Sequence, residues 1–252
     1  MLISKRVCIF VDGENLRHSI GELFSSFDNR DYLPKKANWE KFFDWVASEA
    51  VGQDADRIRT YWYVVENIDF SPFNLNSARK DKILLKKILS RDNDIARHMT
   101  EIGGETKVNE FMEKEVDKLL EVEHMMKDRF TGWINIQDTI ERYNRSVEFR
   151  RAGSIRYDLF KRDLGFEKAV DVKLAADLIQ LKDIYDVAVI VSGDQDHVPA
   201  VDAIKDSGKR TVNVAFLTEN DRLLPGGAKR LNQSTDWSIE VKYSDLKTYL
   251  GF

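Results

Sequence analysis

Cysteine is almost missing from this chain: Cys8 stands alone. No internal disulfide can form, and with only four scattered histidines there is no material for a Cys/His zinc cage. The lack of a disulfide framework suits a reducing compartment, and a cytoplasmic location is the expectation. Cys8 lies in the run Val7-Cys8-Ile9-Phe10-Val11 and reads as a small buried hydrophobe. Proline is scarce at four and glycine modest at thirteen, which argues against long linkers. No stretch of 18 apolar residues occurs, so no membrane span is expected. The opening MLISKRVCIFVDGEN runs into acidic residues rather than a small-residue cleavage site, unlike a signal peptide. Positive charge is also in deficit, with a net charge of −4. A protein that holds nucleic acid constantly and tightly is usually basic, whereas an enzyme that must release its product need not be.

Apolar residues are plentiful at 42%, enough for a sizeable core in one α/β domain covering 1–252. Residues 5–11 form a continuous apolar run ending at Asp12-Gly13, the pattern of a central parallel strand followed by a turn. A helix is expected within 15–27. Asn38 reads as an N-cap, followed by Trp39, Phe42, Phe43 and Val46 at helical spacing. Residues 57–65 read as a second strand. Residues 78–143 are helical in composition, broken near Gly103-Gly104, with 133–143 as a further short helix. This exceeds an ordinary crossover and reads as an insertion. Residues 147–157 fit a strand or an irregular basic hairpin bent at Gly153. Residues 168–183 carry the stripe Val170, Leu174, Leu178, Leu181 and predict a helix. Apolar strands follow at 186–191 and 211–216, separated by a helix over 197–207 closed by Gly208. One more helix and strand fit 228–250. Alternating strands and helices predict a doubly wound, mainly parallel sheet.

In such sheets ligands bind beyond the carboxyl ends of the strands. Asp12 follows the first strand directly. Asp194 and Asp196 follow the strand at 186–191 after Ser192-Gly193, and Asp171 lies in the first turn of the helix at 168–183. Each alone has a plain reading as a turn residue or N-cap. Together they place carboxylates from three chain segments on one sheet edge, where mutual repulsion calls for a divalent cation. An all-oxygen donor set points to Mg²⁺ or Mn²⁺ rather than zinc. Gly193 allows close backbone approach, and Ser192 suits a phosphate or a water on the metal. Asp177 lies about 9 Å along the helix from Asp171 and fits a partner for a base. Charge is uneven: residues 145–162 hold Arg145, Arg150, Arg151, Arg156, Lys161 and Arg162 against Glu148 and Asp158. Residues 101–128 hold nine acids against four lysines. The first segment suits phosphates and the second repels them.

The segments IFVDGENL (9–16), KAVDVKLAADL (168–178) and VAVIVSGDQDHVPAVDAIKDSGKRTVNVAF (187–216) resemble the NYN family, near its LabA-like group, in the PIN-like nuclease superfamily. The shared pattern is a strand ending in D-x-x-N, a K-x-x-D-V helix, and a strand ending in S-G-D-x-D before a helix. The resemblance implies a Rossmann-like (PIN-like) α/β fold and a metal-dependent ribonuclease with a 5′-phosphate product. It marks Asp12, Asp171, Asp194 and Asp196 as the acidic catalytic site, with Asn15 and Ser192 in support; Asp12, Asp171 and Asp194 are the expected metal ligands. His197 departs from the pattern, which carries an aromatic there. It reads either as a partly buried helix-start histidine making one hydrogen bond, or as a group that contacts phosphate or shuttles a proton. Arg150, Arg151, Arg156, Lys161 and Arg162 are the expected contacts to RNA. Two alternatives stand beside this: a catalytically silent RNA-binding or regulatory NYN-domain protein, and a DNA nuclease with the same metal chemistry. G-x-G-x-x-G after the first strand, the P-loop and the G-x-S-x-G elbow are absent, which disfavours nucleotide-binding and hydrolase-triad readings. The insertion at 78–143 carries Phe111, Leu119, Leu120, Val122, Met125 and Met126, which must be buried against the core or against a second copy. A homodimer through this segment is the expectation.

Overall fold

A computed structural model of the chain describes residues 4–24, 33–34, 36–224 and 228–251. In chain order the elements are β1 Lys5–Asp12, α1 Gly13–Leu23, α2 Trp39–Val51, β2 Ala55–Ser71, α3 Leu75–Ala78, α4 Lys82–Leu89, α5 Asn93–Glu101 and α6 Glu105–Tyr143. There follow β3 Val147–Asp158, β4 Asp163–Lys168, α7 Val170–Gln180, β5 Val187–Val191, α8 Val198–Asp206, β6 Arg210–Leu217, β7 Leu223–Leu224, α9 Ala228–Ser234, β8 Trp237–Lys242 and α10 Tyr243–Leu250. The chain divides into two compact units, one of residues 1–66, 133–153 and 168–252, the other of 67–132 and 154–167.

The first unit holds the parallel sheet. β1 lies between β2 and β5 and is parallel to both, with Val7 opposite Val187 and Val11 opposite Val191. β5 pairs in parallel with β6, and β6 with β8; only the short β7 runs antiparallel to β6. The apolar runs predicted as strands occupy the centre: Val7 to Val11 are fully buried, as are Ala188 to Val191. With both faces of these strands covered there is no reason for alternation, which is why the sequence reads as unbroken hydrophobes. The mixed α/β architecture with a mostly parallel sheet is the class expected.

The helices form for readable reasons. Asn38 caps α2 by accepting the Lys41 amide at 3.0 Å. Trp39, Phe42, Phe43 and Val46 are buried, and Trp39 packs edge-on to Trp62 of β2 with ring centres 4.8 Å apart. In α7 the stripe Val170, Leu174 and Leu178 is buried, each side chain worth about 1.5–3 kcal/mol on removal from water. α7 is shorter than predicted, giving way to a 3-10 turn at Lys182–Ile184. Gly208, at φ +81°, follows α8 as expected.

The second unit comprises α3, α4, α5 and the first part of α6, with residues 67–71 of β2, 154–158 of β3 and 163–167 of β4. The break at Gly103-Gly104 is present, both glycines lying at positive φ. The expected separate helix at 133–143 is not: α6 runs unbroken for 39 residues. Residues 147–157 form a true strand, with Gly153 at φ +63°. Of the six apolar residues behind the expectation of a homodimer, Leu119, Val122 and Met126 are already buried within the single chain, Phe111 and Leu120 are half-buried and Met125 alone is exposed, so a homodimer is not supported. Among the described residues no helix is long and apolar enough to cross a membrane.

Candidate metal centre

The site grows from the end of β1. Asp12 is the last residue of that strand and the N-cap of α1, with its Oδ1 accepting the Asn15 amide at 3.1 Å. Its Oδ2 accepts the Asn15 side-chain amide at 2.5 Å and the Ser192 hydroxyl at 2.8 Å. Asn15 then accepts the Gly193 amide at 3.2 Å, and Ser192 Oγ accepts the Asp194 amide at 3.0 Å. This ring of hydrogen bonds ties the carboxyl end of β1 to the loop that leaves β5, so a buried carboxylate is fixed in one orientation. Gly13 is essential to the turn: a Cβ there would lie 2.4 Å from the Tyr63 carbonyl oxygen.

After β5, Asp194 caps a 3-10 turn, Gln195–His197, by accepting the Asp196 amide at 2.8 Å. The turn carries His197 into the interior, where it is wholly buried. Its Nε2 lies 3.7 Å from Asp12 Oδ2 and 3.8 Å from Asp171 Oδ1. Both distances exceed a hydrogen bond, and neither ring nitrogen makes one; Nε2 is within ion-pair reach of the two carboxylates, and Nδ1 faces no charged partner. The single hydrogen bond expected of His197 is therefore absent, and the residue is fully rather than partly buried. Asp171 enters from the first turn of α7, with its side chain 39% exposed. Ala169, in the left-handed region at φ +72°, sets the start of that helix.

Asp12, Asp171 and His197 thus bring one donor atom each within 4.8 Å of one another. Electrostatics follow from this crowding. Burial alone would lift the Asp12 carboxyl above its usual range, but His197 and the hydrogen bonds from Asn15 and Ser192 override it and hold the carboxyl low. Asp171 is raised, by burial and by the Asp12 charge. Burial pushes His197 down, and the Asp12, Asp171 and Asp194 carboxylates more than reverse that. Asp196 is exposed and acts on Asp171 through its charge. A buried imidazole with two orphaned nitrogens, facing two carboxylates, is a donor set that fits a divalent cation.

The predicted basic contacts separate into two groups. Arg150 pairs with Asp177 and with Glu148 at 3.0 Å, and its guanidinium lies 4.1 Å from the Tyr61 ring centre. Asp177 itself is buried, accepting also from Tyr63 at 3.1 Å and Lys173 at 2.8 Å, so its expected pairing with a base is met twice. Arg151 is held by Gln137 at 3.1 Å and Asp138 at 2.5 Å. Both arginines are engaged by side chains of the same chain, Arg151 at the surface, a consequence of β3 packing that linear charge counting does not reveal. Arg156, Lys161 and Arg162 are exposed in the second unit. Sequence reading also missed the steric role of Gly13 and the left-handed Ala169; the Asp-Gly dipeptide was a signal for the first, and nothing signalled the second.

No curated protein matches the chain. A protein of unknown function from Vibrio parahaemolyticus, known from its crystal structure, is similar over 96% of this chain and 95% of its own, at 13% identity and a TM-score of 0.44. Residues 126–229, which include Asp171, Ser192, Asp194, Asp196 and His197 but not Asp12 or Asn15, match the family model of the NYN domain, consistent with the PIN-like nuclease superfamily.

Proposed function

We propose that the protein is a metal-dependent ribonuclease that hydrolyses RNA phosphodiester bonds, a single NYN/PIN-like domain over 1–252 with a helical insertion at 78–143, acting in the cytoplasm. The observation that carries this reading is the meeting of Asp12, Asp171 and the unpartnered His197 beyond the carboxyl ends of β1 and β5. Asp12 and Asp171 are the carboxylates for a Mg²⁺ or Mn²⁺ ion; Asp194, expected as a third ligand, lies outside that cluster and caps the turn that carries His197, and with Asp196 it completes the acidic edge. A divalent cation supplies an activated water at neutral pH and neutralises charge on the phosphate. Asn15 and Ser192 keep Asp12 ionised and oriented, so that no reorganisation is needed when substrate arrives. The exposed Arg156, Lys161 and Arg162 are the phosphate contacts; Arg150 and Arg151 act by bracing β3.

The test is a panel of single-stranded RNAs with matched DNAs, incubated with and without Mn²⁺, for wild type and Asp12→Asn. The expected outcome is RNA cleavage that needs the cation and falls by at least about 100-fold in the variant. Equal cutting of DNA would make it a general nuclease of the same chemistry. RNA binding with no cleavage in any cation would make it a silent binding protein.

A further inference from the structure

We propose that His197 is itself a ligand, so that the centre takes a first-row transition-metal ion such as Mn²⁺ through one imidazole and two carboxylates and discriminates against Mg²⁺. This rests on the metal-centre reading above and goes beyond it in naming a nitrogen donor and the class of metal it selects.

Three observations support it. His197 is fully buried, yet neither ring nitrogen has a hydrogen-bond partner. A buried histidine held for structure alone normally makes at least one hydrogen bond, and this ring makes none, facing the carboxylates only at ion-pair distance. Second, Nε2 faces both carboxylates at nearly the same distance, 3.7 and 3.8 Å. These separations are too long for direct hydrogen bonds. They lie within the reach of one ion: ligand bonds of about 2.1 Å span such separations at an angle of roughly 125–130° about it, so a small inward movement of the side chains completes the coordination. Third, the backbone is built to deliver the ring. Asp194 caps the 3-10 turn that points His197 inward, and Asp194 is in turn tied through Ser192 to Asp12. The ligand and the carboxylate it faces are thus linked by the same hydrogen-bond ring.

The chemistry follows from the donor set. Carboxylates alone serve Mg²⁺ and Mn²⁺ alike, whereas an imidazole favours first-row transition ions over magnesium, which prefers oxygen and keeps its waters. Two carboxylates balance a divalent charge, and a neutral imidazole adds a third donor without excess charge.

The experiment uses the full chain titrated with Mn²⁺ and separately with Mg²⁺, by calorimetry and, for Mn²⁺, by pulsed electron paramagnetic resonance. Wild type should show a ¹⁴N coupling from a directly bound imidazole, which His197→Phe abolishes. The same variant should weaken Mn²⁺ binding by about tenfold or more while changing Mg²⁺ binding by less than about threefold. His197→Gln serves as a second variant should the phenylalanine not fold, with thermal unfolding as the check on both; if neither folds, the wild-type coupling decides. Bound Mn²⁺ without nitrogen coupling, a coupling that survives in a folded variant, equal loss of both ions, or no Mn²⁺ binding at all overturns the inference. RNA cleavage is scored separately. Nitrogen coupling in a protein that cuts no RNA leaves the ligand standing and removes the ribonuclease. Cleavage without coupling does the reverse.

Discussion

Asp177 is buried, yet it bears a charge and accepts from Tyr63, Lys173 and Arg150. Burial would raise its carboxyl, and the two bases hold it below its usual range instead. Removing one member of a buried ion cluster strands the others, at about 3–5 kcal/mol. Asp177→Ala should lose about that much in urea unfolding. Asp177→Asn, which keeps an acceptor for Tyr63, should lose clearly less. The pairing was readable from sequence, since an aspartate bordering an apolar stripe needs a base. Its partner Arg150 was not, because that depends on how β3 meets α7, and the arginine was read as a phosphate contact instead. Arg6 and Asp186 make the opposite case, a half-exposed pair linking β1 and the start of β5 through the guanidinium at 2.9 and 3.3 Å and the Arg6 amide at 3.0 Å. Hydrogen bonding from Arg6 lowers Asp186 from the usual 3.8 to about 2. A depressed folded-state value means that the contribution is present above about pH 4 and fades as pH falls through about 2. Asp186→Asn should therefore be less stable than wild type at pH 7 and converge on it near pH 2. A stability gap of unchanged size in acid would rule the linkage out.

At the scale of elements, α6 is where sequence reading broke a continuous helix in two. The Thr131-Gly132 pair is poor in helix propensity, and the local signal weakens there. Tertiary burial overrode it, with Phe130, Trp133, Ile136 and Ile140 all buried at helical spacing across the weak point. Gly132 has nothing within 4 Å of where a Cβ would stand. Gly132→Ala should thus stabilise the protein by about 0.5–1 kcal/mol, raising the unfolding midpoint without changing its cooperativity. A loss of stability would mean that the helix needs the glycine. α7 is found where its stripe predicts, with Val170, Leu174 and Leu178 buried, though Leu181 lies beyond its end and is only half-buried. Its beginning was not readable: Ala169 adopts a left-handed conformation that costs roughly 1–2 kcal/mol for a residue with a Cβ, and only the surrounding fold enforces it. That strain sits two residues before Asp171.

For the molecule as a whole, a net charge of −4 coexists with exposed Arg156, Lys161 and Arg162. If these meet phosphates, reversing all three to Glu should weaken RNA binding and flatten its logarithmic salt dependence by about 0.7 for each phosphate left unneutralised. Mn²⁺ affinity should stay as it was, and an unchanged salt slope would remove the segment from the interface. The parallel sheet was legible because covered strands leave unbroken apolar runs. Of the expected acidic edge, the structure brings Asp12 and Asp171 together, at the Asp-Gly strand end and the start of α7, while Asp194 and Asp196 stay outside that cluster. The imidazole in the cluster was visible only as an oddity, since its orientation depends on a turn that carries no separate signal. β1 carries a further consequence, one of time. Its terminal aspartate is fastened to Ser192, 180 residues away. During synthesis at about 5–20 residues per second, this central strand waits roughly 10–35 s before its partner β5 exists. For that interval the nascent chain exposes an open apolar strand edge, and its safe arrival depends on what shields that edge before β5 leaves the ribosome.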